Sequence, residues 1–198
     1  IRDRDEAVSI MVDKANIAAD TIKNNYDCCV AYYDEHLLEI SIEQRRLLGE
    51  FEPALQNDEF VMYLQPQVKR DGAAKGAEAL VRWVHPSRGI LTPYAFIDIL
   101  ENAGLIYKLD LYIWEKAAQK LAEWKEKGYG SYHISVNIST KDFYIIDIYE
   151  TFTGLINKYG IAASNLHLEI TETTLMTDFE KNMNIIHKLQ GVGFRVEI

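Results

Sequence analysis

The chain has 198 residues, 48% of them hydrophobic, which is enough for one full domain or parts of two. Its 30 acidic and 21 basic residues give a net charge of −9, which disfavours binding to a nucleic-acid polymer and requires any phosphate ligand to be held locally. No apolar run approaches the roughly 18 to 20 residues of a membrane span.

The cysteines are Cys28 and Cys29, and neighbours in sequence make poor disulfide partners. Such sparing use of cysteine is typical of a reducing compartment, and the first residues do not resemble a signal peptide. We therefore expect a cytoplasmic protein in which both cysteines are buried, and we leave open whether a membrane or sensor segment lies upstream.

The first part of the chain is predicted to be mainly helical. Apolar residues recur near the helical period over 6–24, and a short strand is expected at 28–32. A second helix is predicted over 35–55, where an apolar stripe runs among charged residues as in an amphipathic connector. Pro53 is expected to end or kink this helix, because proline lacks a backbone donor.

Beyond residue 57, strand and helix patterns alternate. Repeated strand and helix units with short loops predict an α/β fold with a parallel sheet, open or closed into a barrel. A glycine in the left-handed conformation is expected just past each of four helices. The predicted strands are 59–68, 74–84, 132–138, 166–170 and 194–198; the predicted helices are 93–102, 106–127, 140–158 and 178–190; and the glycines are Gly104, Gly128, Gly160 and Gly191.

Three predicted strands carry polar side chains where strands buried on both faces would be apolar throughout. Side chains alternate along a strand, so each of these strands presents a carboxylate or carboxamide on one face and apolar residues on the other. The polar faces hold Glu78, Leu80 and Arg82 in one strand, Ser135, Asn137 and Ser139 in the next, and His167, Glu169 and Thr171 in the third.

Glu78, Asn137 and Glu169 together predict a metal site at the carboxyl ends of their strands. Burying an unpaired carboxylate costs several kcal/mol, and a divalent cation would compensate for it. Oxygen ligands favour Mg²⁺, Mn²⁺ or Ca²⁺ over zinc. Arg82, on the face of Glu78, is suited to hold a phosphate with its planar guanidinium. Metal and arginine together point to phosphoryl chemistry.

Each residue also has a purely structural interpretation. Glu78 and Arg82 would form an intrastrand ion pair, Asn137 would be a satisfied core amide, and Glu169 would be a charge on an edge strand. These interpretations weaken jointly, because three strands would need the same coincidence on the same face. The five histidines are scattered along the sequence, and we interpret them as surface or satisfied core residues.

The segment 78–83, Glu-Ala-Leu-Val-Arg-Trp, resembles the signature of the EAL family of cyclic-di-GMP phosphodiesterases. Other segments follow the pattern of that family in the same order. They are Tyr63-Leu64-Gln65-Pro66, His85-Pro86, Gly89-Ile90-Leu91, Gly104-Leu105-Ile106, Leu109-Asp110, the run 135–139 (Ser-Val-Asn-Ile-Ser) and the run 169–172 (Glu-Ile-Thr-Glu).

The resemblance implies a TIM-type barrel of the EAL family, incomplete here, with one antiparallel strand. It also implies hydrolysis of cyclic di-GMP to linear pGpG by water activated by Mg²⁺ or Mn²⁺, with two ions in the complete site. Carried over by position, the metal-binding and catalytic residues are Glu78, Asn137 and Glu169; the substrate-binding residues are Gln65, Leu80 and Arg82; and Glu172 supports a loop.

The resemblance divides the chain into three parts. Residues 58–198 resemble the N-terminal part of an EAL domain, 37–57 form a connector helix, and 1–36 more weakly resemble the C-terminal end of a GGDEF-like domain whose cyclase activity is left open. The last six residues resemble the fifth strand of the family, which continues into paired aspartates. We therefore expect this segment alone to be inactive, with an unpaired edge at its last strand.

Two other functions stay open. An EAL-type domain that has lost catalysis would act as a cyclic-di-GMP receptor or regulatory scaffold, and it would keep Arg82 and Gln65. A barrel glycosidase would use Glu78 and Glu169, but it would give Asn137 and Arg82 less to do. The expected partners are cyclic di-GMP, an upstream GGDEF-like domain and a second copy of the chain bound through EAL domains.

Overall fold

A computed structural model describes residues 7–23, 29–68, 72 and 74–198. The chain divides into two compact units, Ile1–Glu52 and Pro53–Ile198. Among the described residues, no helix combines the length and the apolar character needed to cross a membrane.

The first unit contains helix α1 (Val8–Asp20) and most of helix α2 (Glu35–Gln56). The α1 helix is shorter than predicted, and the predicted end near residue 24 lies outside the described residues. The α2 helix ends one residue beyond its predicted end; Pro53, which was expected to end or kink it, lies inside the helix, which continues to Gln56. The proline lies in the last turn, where its missing donor removes a single bond, and its carbonyl accepts from Asn57 N–H at 3.0 Å.

The prediction of a strand at 28–32 is wrong for residues 29–32, which the structure describes. Residues 29–34 adopt no regular structure. Cys29 is exposed, so its predicted burial is also wrong, and Cys28 lies outside the described residues.

The second unit is built on a six-stranded sheet. Its strands are β1 (Phe60–Val68), β2 (Ala74–His85), β3 (Gly89–Leu91), β4 (His133–Ile138), β5 (Leu166–Ile170) and β6 (Arg195–Glu197). Its helices are α3 (Ile97–Asn102), α4 (Ile106–Glu126), α5 (Asp142–Ile145), α6 (Ile148–Tyr159), α7 (Glu172–Thr177) and α8 (Phe179–Val192).

The strand order is β1-β2-β4-β5-β6, and β3 pairs with β2 outside this path. The β1 strand is antiparallel to β2, whereas β2, β4, β5 and β6 run parallel in succession. The predicted α/β fold with a parallel sheet is therefore confirmed, and the sheet contains an antiparallel strand, β1, as the resemblance implies. The short strand β3, which is also antiparallel to β2, was not predicted.

The helices differ from prediction in their number and at their ends. The predicted helix 140–158 is two helices, α5 and α6, and a short helix, α7, precedes α8. Gly104, Gly128 and Gly160 adopt positive φ as expected. Gly191 does not: it lies inside α8, and the left-handed residue that ends this helix is Gly193, with φ of 110°.

One face of the sheet forms the apolar core with the helices. Ile134, Val136 and Leu168 are fully buried there. Trp114 of α4 stacks against Phe152 of α6, with ring centroids 4.5 Å apart. The Trp114 indole Nε1 also donates to the backbone carbonyl of Asn137 at 3.0 Å, which ties α4 to the end of β4.

The opposite face of the sheet is polar and includes two stacked histidines. The rings of His133 and His167 lie 3.8 Å apart and 6° from parallel. Gly76 of β2 pairs with His133 in the parallel register, and a Cβ built on Gly76 would lie 2.4 Å from His133 Nε2. The glycine therefore provides the space that the imidazole occupies.

Gly76→Ala should lower the free energy of unfolding by about 1–3 kcal/mol, because the added methyl overlaps a ring that stacking prevents from moving aside. Denaturant unfolding would measure this change. Gly154→Ala is the matched control, since nothing lies within 4 Å of its added Cβ in α6. That control should stabilise the protein by about 0.5–1 kcal/mol. Equal stability of wild type and Gly76→Ala would contradict the predicted overlap.

Candidate active site

The strand register brings the predicted metal ligands to neighbouring positions on the polar face. Glu78 pairs with Ser135, and Asn137 pairs with Glu169. Glu169 pairs in turn with Glu197 of β6. Paired residues of parallel strands share a face, so Asn137, Glu169 and Glu197 form one row across three strands. Glu78 lies on the same face, in the row of Ser135, two residues before the row of Asn137.

Glu78 and Asn137 are in direct contact. Asn137 Nδ2 donates to Glu78 Oε1 at 3.1 Å, although the two residues are far apart in sequence. Asn137 and Glu169 each lie one position before the end of their strands, as predicted. Glu78 instead lies within the long strand β2, at the last position where this strand pairs with β4, so its predicted place at a strand end is wrong.

Glu169 is partly buried and holds a raised pKa. The main cause is burial, and the negative charges of Glu78 and Glu197 act in the same direction. Hydrogen bonds from Ser135 and Gln67 oppose the shift. Gln67 Nε2 donates to Glu169 Oε1 at 3.3 Å. The site thus concentrates negative charge that a bound cation would neutralise.

A cavity of about 350 Å³ opens at this end of the sheet. Its walls come from the last residues of β4, β5 and β6 and from the chain just beyond β5. The lining residues are Asn137, Glu169, Ile170, Thr171, Glu197 and Ile198.

The predicted substrate-binding residues lie on the β1–β2 hairpin. Gln65 is exposed and directly opposite Glu78, so the two side chains share a face. Leu80 and Arg82 follow Glu78 on that face at alternate positions. The Arg82 guanidinium donates to the Val81 carbonyl at 2.8 Å and lies 5.8 Å from the centre of the Tyr63 ring.

The structural interpretations receive little support from this geometry. Within the described residues, no ion pair joins Glu78 to Arg82. Asn137 is exposed rather than a core amide. Glu169 lies on β5, which has a neighbour on each side and is not an edge strand.

Glu172 lies apart from the row of oxygen ligands. It begins α7, where the Thr171 hydroxyl accepts the backbone N–H of Thr174 and caps the helix. Its side chain is exposed. Glu172 therefore directly follows Thr171, which lines the cavity, and it lies on the segment that it was predicted to support.

The sequence analysis gave no role in the site to four polar residues of this face, although it placed His167 there. Gln67 follows Gln65 at the next position on that face of β1, and His133 precedes Ser135 in the same way on β4. His167 lies two positions before Glu169, and its Nδ1 is 3.2 Å from Glu197 Oε1. The signal was the same period-two alternation. It identifies Gln67 two residues after Gln65, and His133 and His167 two residues before Ser135 and Glu169; in the last strand it places Glu197 opposite the face of Val196.

The donor set is suited to a hard divalent cation. Glu78, Asn137 and Glu169 offer only oxygen donors and carry two negative charges. Among the described residues, no cluster of three or more histidine, cysteine, aspartate or glutamate side chains is placed to hold a metal ion. The carboxamide of Asn137 is therefore an essential member of the candidate set.

Comparison with known proteins identifies relatives of this segment. Residues 49–198 match the family model described as EAL domain. The chain is 29% identical over 182 residues to the bifunctional diguanylate cyclase/cyclic di-GMP phosphodiesterase MucR of Pseudomonas aeruginosa, a match that covers 91% of this chain and 26% of MucR. It is 29% identical over 145 residues to the cyclic di-GMP phosphodiesterase PdeR of Escherichia coli K12, covering 73% of this chain and 22% of PdeR.

Solved structures agree with the fold. The PaMucR phosphodiesterase in complex with c-di-GMP superposes with a TM-score of 0.73 and 30% sequence identity. This match covers 76% of the present chain and 62% of that structure.

Proposed function

Because the chain belongs to the EAL domain family, we propose that the protein hydrolyses cyclic di-GMP to linear pGpG with Mg²⁺ or Mn²⁺. The observation that carries this proposal is the meeting of Glu78, Asn137 and Glu169 across three strands that are distant in sequence. The names of the relatives MucR and PdeR support the substrate and the reaction.

In this proposal, Glu78, Asn137 and Glu169 bind the metal, with two ions in the complete site. When bound, such ions supply a water activated near neutral pH and neutralise charge on the phosphate. The negative charge of Glu78 and Glu169 is the property that this chain contributes to that chemistry. Burial raises the pKa of Glu169, so a bound cation would favour its ionised form.

The β1–β2 hairpin would bind the dinucleotide. Gln65, exposed opposite Glu78, has an amide that can both donate and accept hydrogen bonds to a base. Leu80 would pack beside the substrate. The Arg82 guanidinium, held near Tyr63, would approach a phosphate oxygen. Glu172 would support the segment after β5.

The domain arrangement is a further part of the proposal. We assign 58–198 to the N-terminal part of an EAL domain, 37–57 to a connector and 1–36 to the end of a GGDEF-like domain. The match to MucR, which covers 91% of this chain and whose name includes a diguanylate cyclase, supports this assignment. Pairing of two copies through EAL domains and a cytoplasmic location complete the proposal.

The test is a cyclic-di-GMP hydrolysis assay on the full-length protein, with product separated by chromatography. We expect pGpG in the presence of Mg²⁺ or Mn²⁺, none with excess chelator, and none from Glu78→Ala. Tight binding of cyclic di-GMP without hydrolysis would instead assign the protein to the receptor class. Absence of both binding and hydrolysis would refute the proposal.

A further inference from the structure

Gln67 lies between a candidate metal ligand and the stacked histidines. Its Nε2 donates to Glu169 Oε1 at 3.3 Å and to Ser135 Oγ at 3.4 Å. Its Oε1 lies 2.9 Å from His133 Nε2. One amide therefore joins β1, β4 and β5 on the polar face of the sheet.

The chemistry of the partners fixes which way this amide points. An ionised carboxylate can only accept hydrogen bonds, so the group facing Glu169 must be the Gln67 amino group. The Gln67 carbonyl oxygen then faces His133, and the short contact is favourable only if His133 Nε2 carries a hydrogen. If that nitrogen lacked its hydrogen, Gln67 would rotate and present an oxygen to the Glu169 carboxylate.

His133 is itself held in place on two sides. Its ring stacks on His167, and Gly76 leaves the space in which it lies. Burial lowers the pKa of His133, which favours the neutral imidazole and so a single hydrogen on the ring. The neighbours of His133 thus restrict its position, and the Gln67 contact selects its tautomer.

We propose that Gln67 is a positioning residue for the metal ligand Glu169, and that His133 sets the orientation of the Gln67 amide. This inference rests on the proposed function, in which Glu169 binds a divalent cation. Gln67 acts through Glu169, without contacting metal or substrate itself. Groups that hydrogen-bond metal ligands in this way typically change metal affinity or activity by about 10- to 100-fold when they are removed.

The first experiment measures Mn²⁺ affinity of the full-length protein by calorimetry. Gln67→Met keeps the length of the side chain and removes both polar groups, and it should weaken Mn²⁺ binding by about 10-fold or more. Gln119→Leu is the matched control, because Gln119 donates to Tyr159 on the helical side of the unit. The control should bind Mn²⁺ as wild type does. If Gln67→Met does not fold, Gln67→Leu replaces it.

The second experiment tests whether His133 affects Mn²⁺ binding through Gln67 or independently of it. His133→Phe keeps an aromatic ring for stacking on His167 but removes the donor to Gln67. It should weaken Mn²⁺ binding, and the double variant with Gln67→Met should bind no more weakly than Gln67→Met alone. If the double variant weakens Mn²⁺ binding by the product of the two single effects, His133 does not act through Gln67.

The third experiment needs no metal. Nitrogen-15 NMR of the His133 ring should show the neutral form with hydrogen on Nε2 in wild type. The form with hydrogen on Nδ1 would overturn the assigned orientation.

Mn²⁺ affinity in Gln67→Met within twofold of wild type would overturn the positioning role while leaving hydrolysis intact. Weakened Mn²⁺ binding in a protein that fails to hydrolyse cyclic di-GMP would support positioning and refute the activity, and a wild type that binds no Mn²⁺ would overturn both.

Discussion

Under the proposed function, Glu169→Gln should lower the rate of cyclic-di-GMP hydrolysis by about 100-fold or more while leaving the protein at least as stable as wild type. Loss of a metal ligand should exceed the roughly 10- to 100-fold cost of losing its hydrogen-bonding partners. Stability should not fall, because the neutral amide removes a partly buried charge that lies near Glu78 and Glu197. Active sites commonly carry such destabilising groups.

Steady-state kinetics at saturating Mn²⁺ and thermal unfolding without metal would test both halves of this prediction. Glu126→Gln, an exposed position at the end of α4, is the control with the same change in net charge. It should change neither quantity. A Glu169→Gln variant that hydrolyses cyclic di-GMP at the wild-type rate would remove Glu169 from the site.

Asp110→Asn should remove a pH dependence of stability that the wild type carries in its core. Asp110 Oδ2 and Asp142 Oδ1 are buried without a hydrogen-bond donor, and the other oxygen of Asp142 accepts the backbone N–H and the hydroxyl of Ser139. Burial, followed by the charge of Asp142, holds the pKa of Asp110 well above its usual range. Glu101 of α3 adds a third negative charge nearby.

The direction of the effect follows from proton binding. The folded protein keeps the Asp110 proton at pH values where the unfolded chain has lost it, so folding takes up a proton there. The contribution of Asp110 to the free energy of unfolding is therefore fully present below the ordinary aspartate pKa. It falls by about 1.4 kcal/mol for each pH unit as pH rises toward the raised pKa. Asparagine at position 110 cannot ionise, and its amide N–H can donate to the Asp142 carboxylate.

Urea unfolding at a series of pH values from about 4 to about 8 would measure the difference between Asp110→Asn and wild type. That difference should grow in favour of the variant as pH rises. Asp98→Asn changes the net charge equally at an exposed position of α3, and it should follow the wild-type profile. Parallel profiles for wild type and Asp110→Asn would show that Asp110 ionises in the folded protein.

The sequence was most informative where alternation is strict. The Glu78, Asn137 and Glu169 positions followed from period-two faces alone, because a polar residue inside an otherwise apolar strand has few structural explanations. The same rule would have found Gln67 and His133. They were missed because an amide or imidazole is often a satisfied core residue, and only the structure shows that Gln67 contacts Glu169 and that His133 contacts Gln67.

Helix ends were harder to predict, because they depend on tertiary contacts. Pro53 was expected to end or kink α2, yet the helix continues past it, because a proline in the last turn costs one bond and is tolerated. Gly191 and Gly193 are equally plausible helix stops in sequence, and only the backbone shows that Gly193 takes the left-handed conformation. The pair of buried carboxyls at Asp110 and Asp142 was likewise beyond a reading of the sequence, since it joins α4 to α5.

Because the space beside Gly76 is filled by the His133 ring, the residues allowed at these two positions depend on each other. A family member with a side chain at this position of β2 cannot also keep an imidazole at the facing position of β4, because both would occupy one volume. The two sites should therefore covary, with glycine accompanying a large ring and a bulkier residue accompanying a small partner. Evolution from glycine with a large ring to a bulkier residue with a small partner should therefore pass through an intermediate with small residues at both sites.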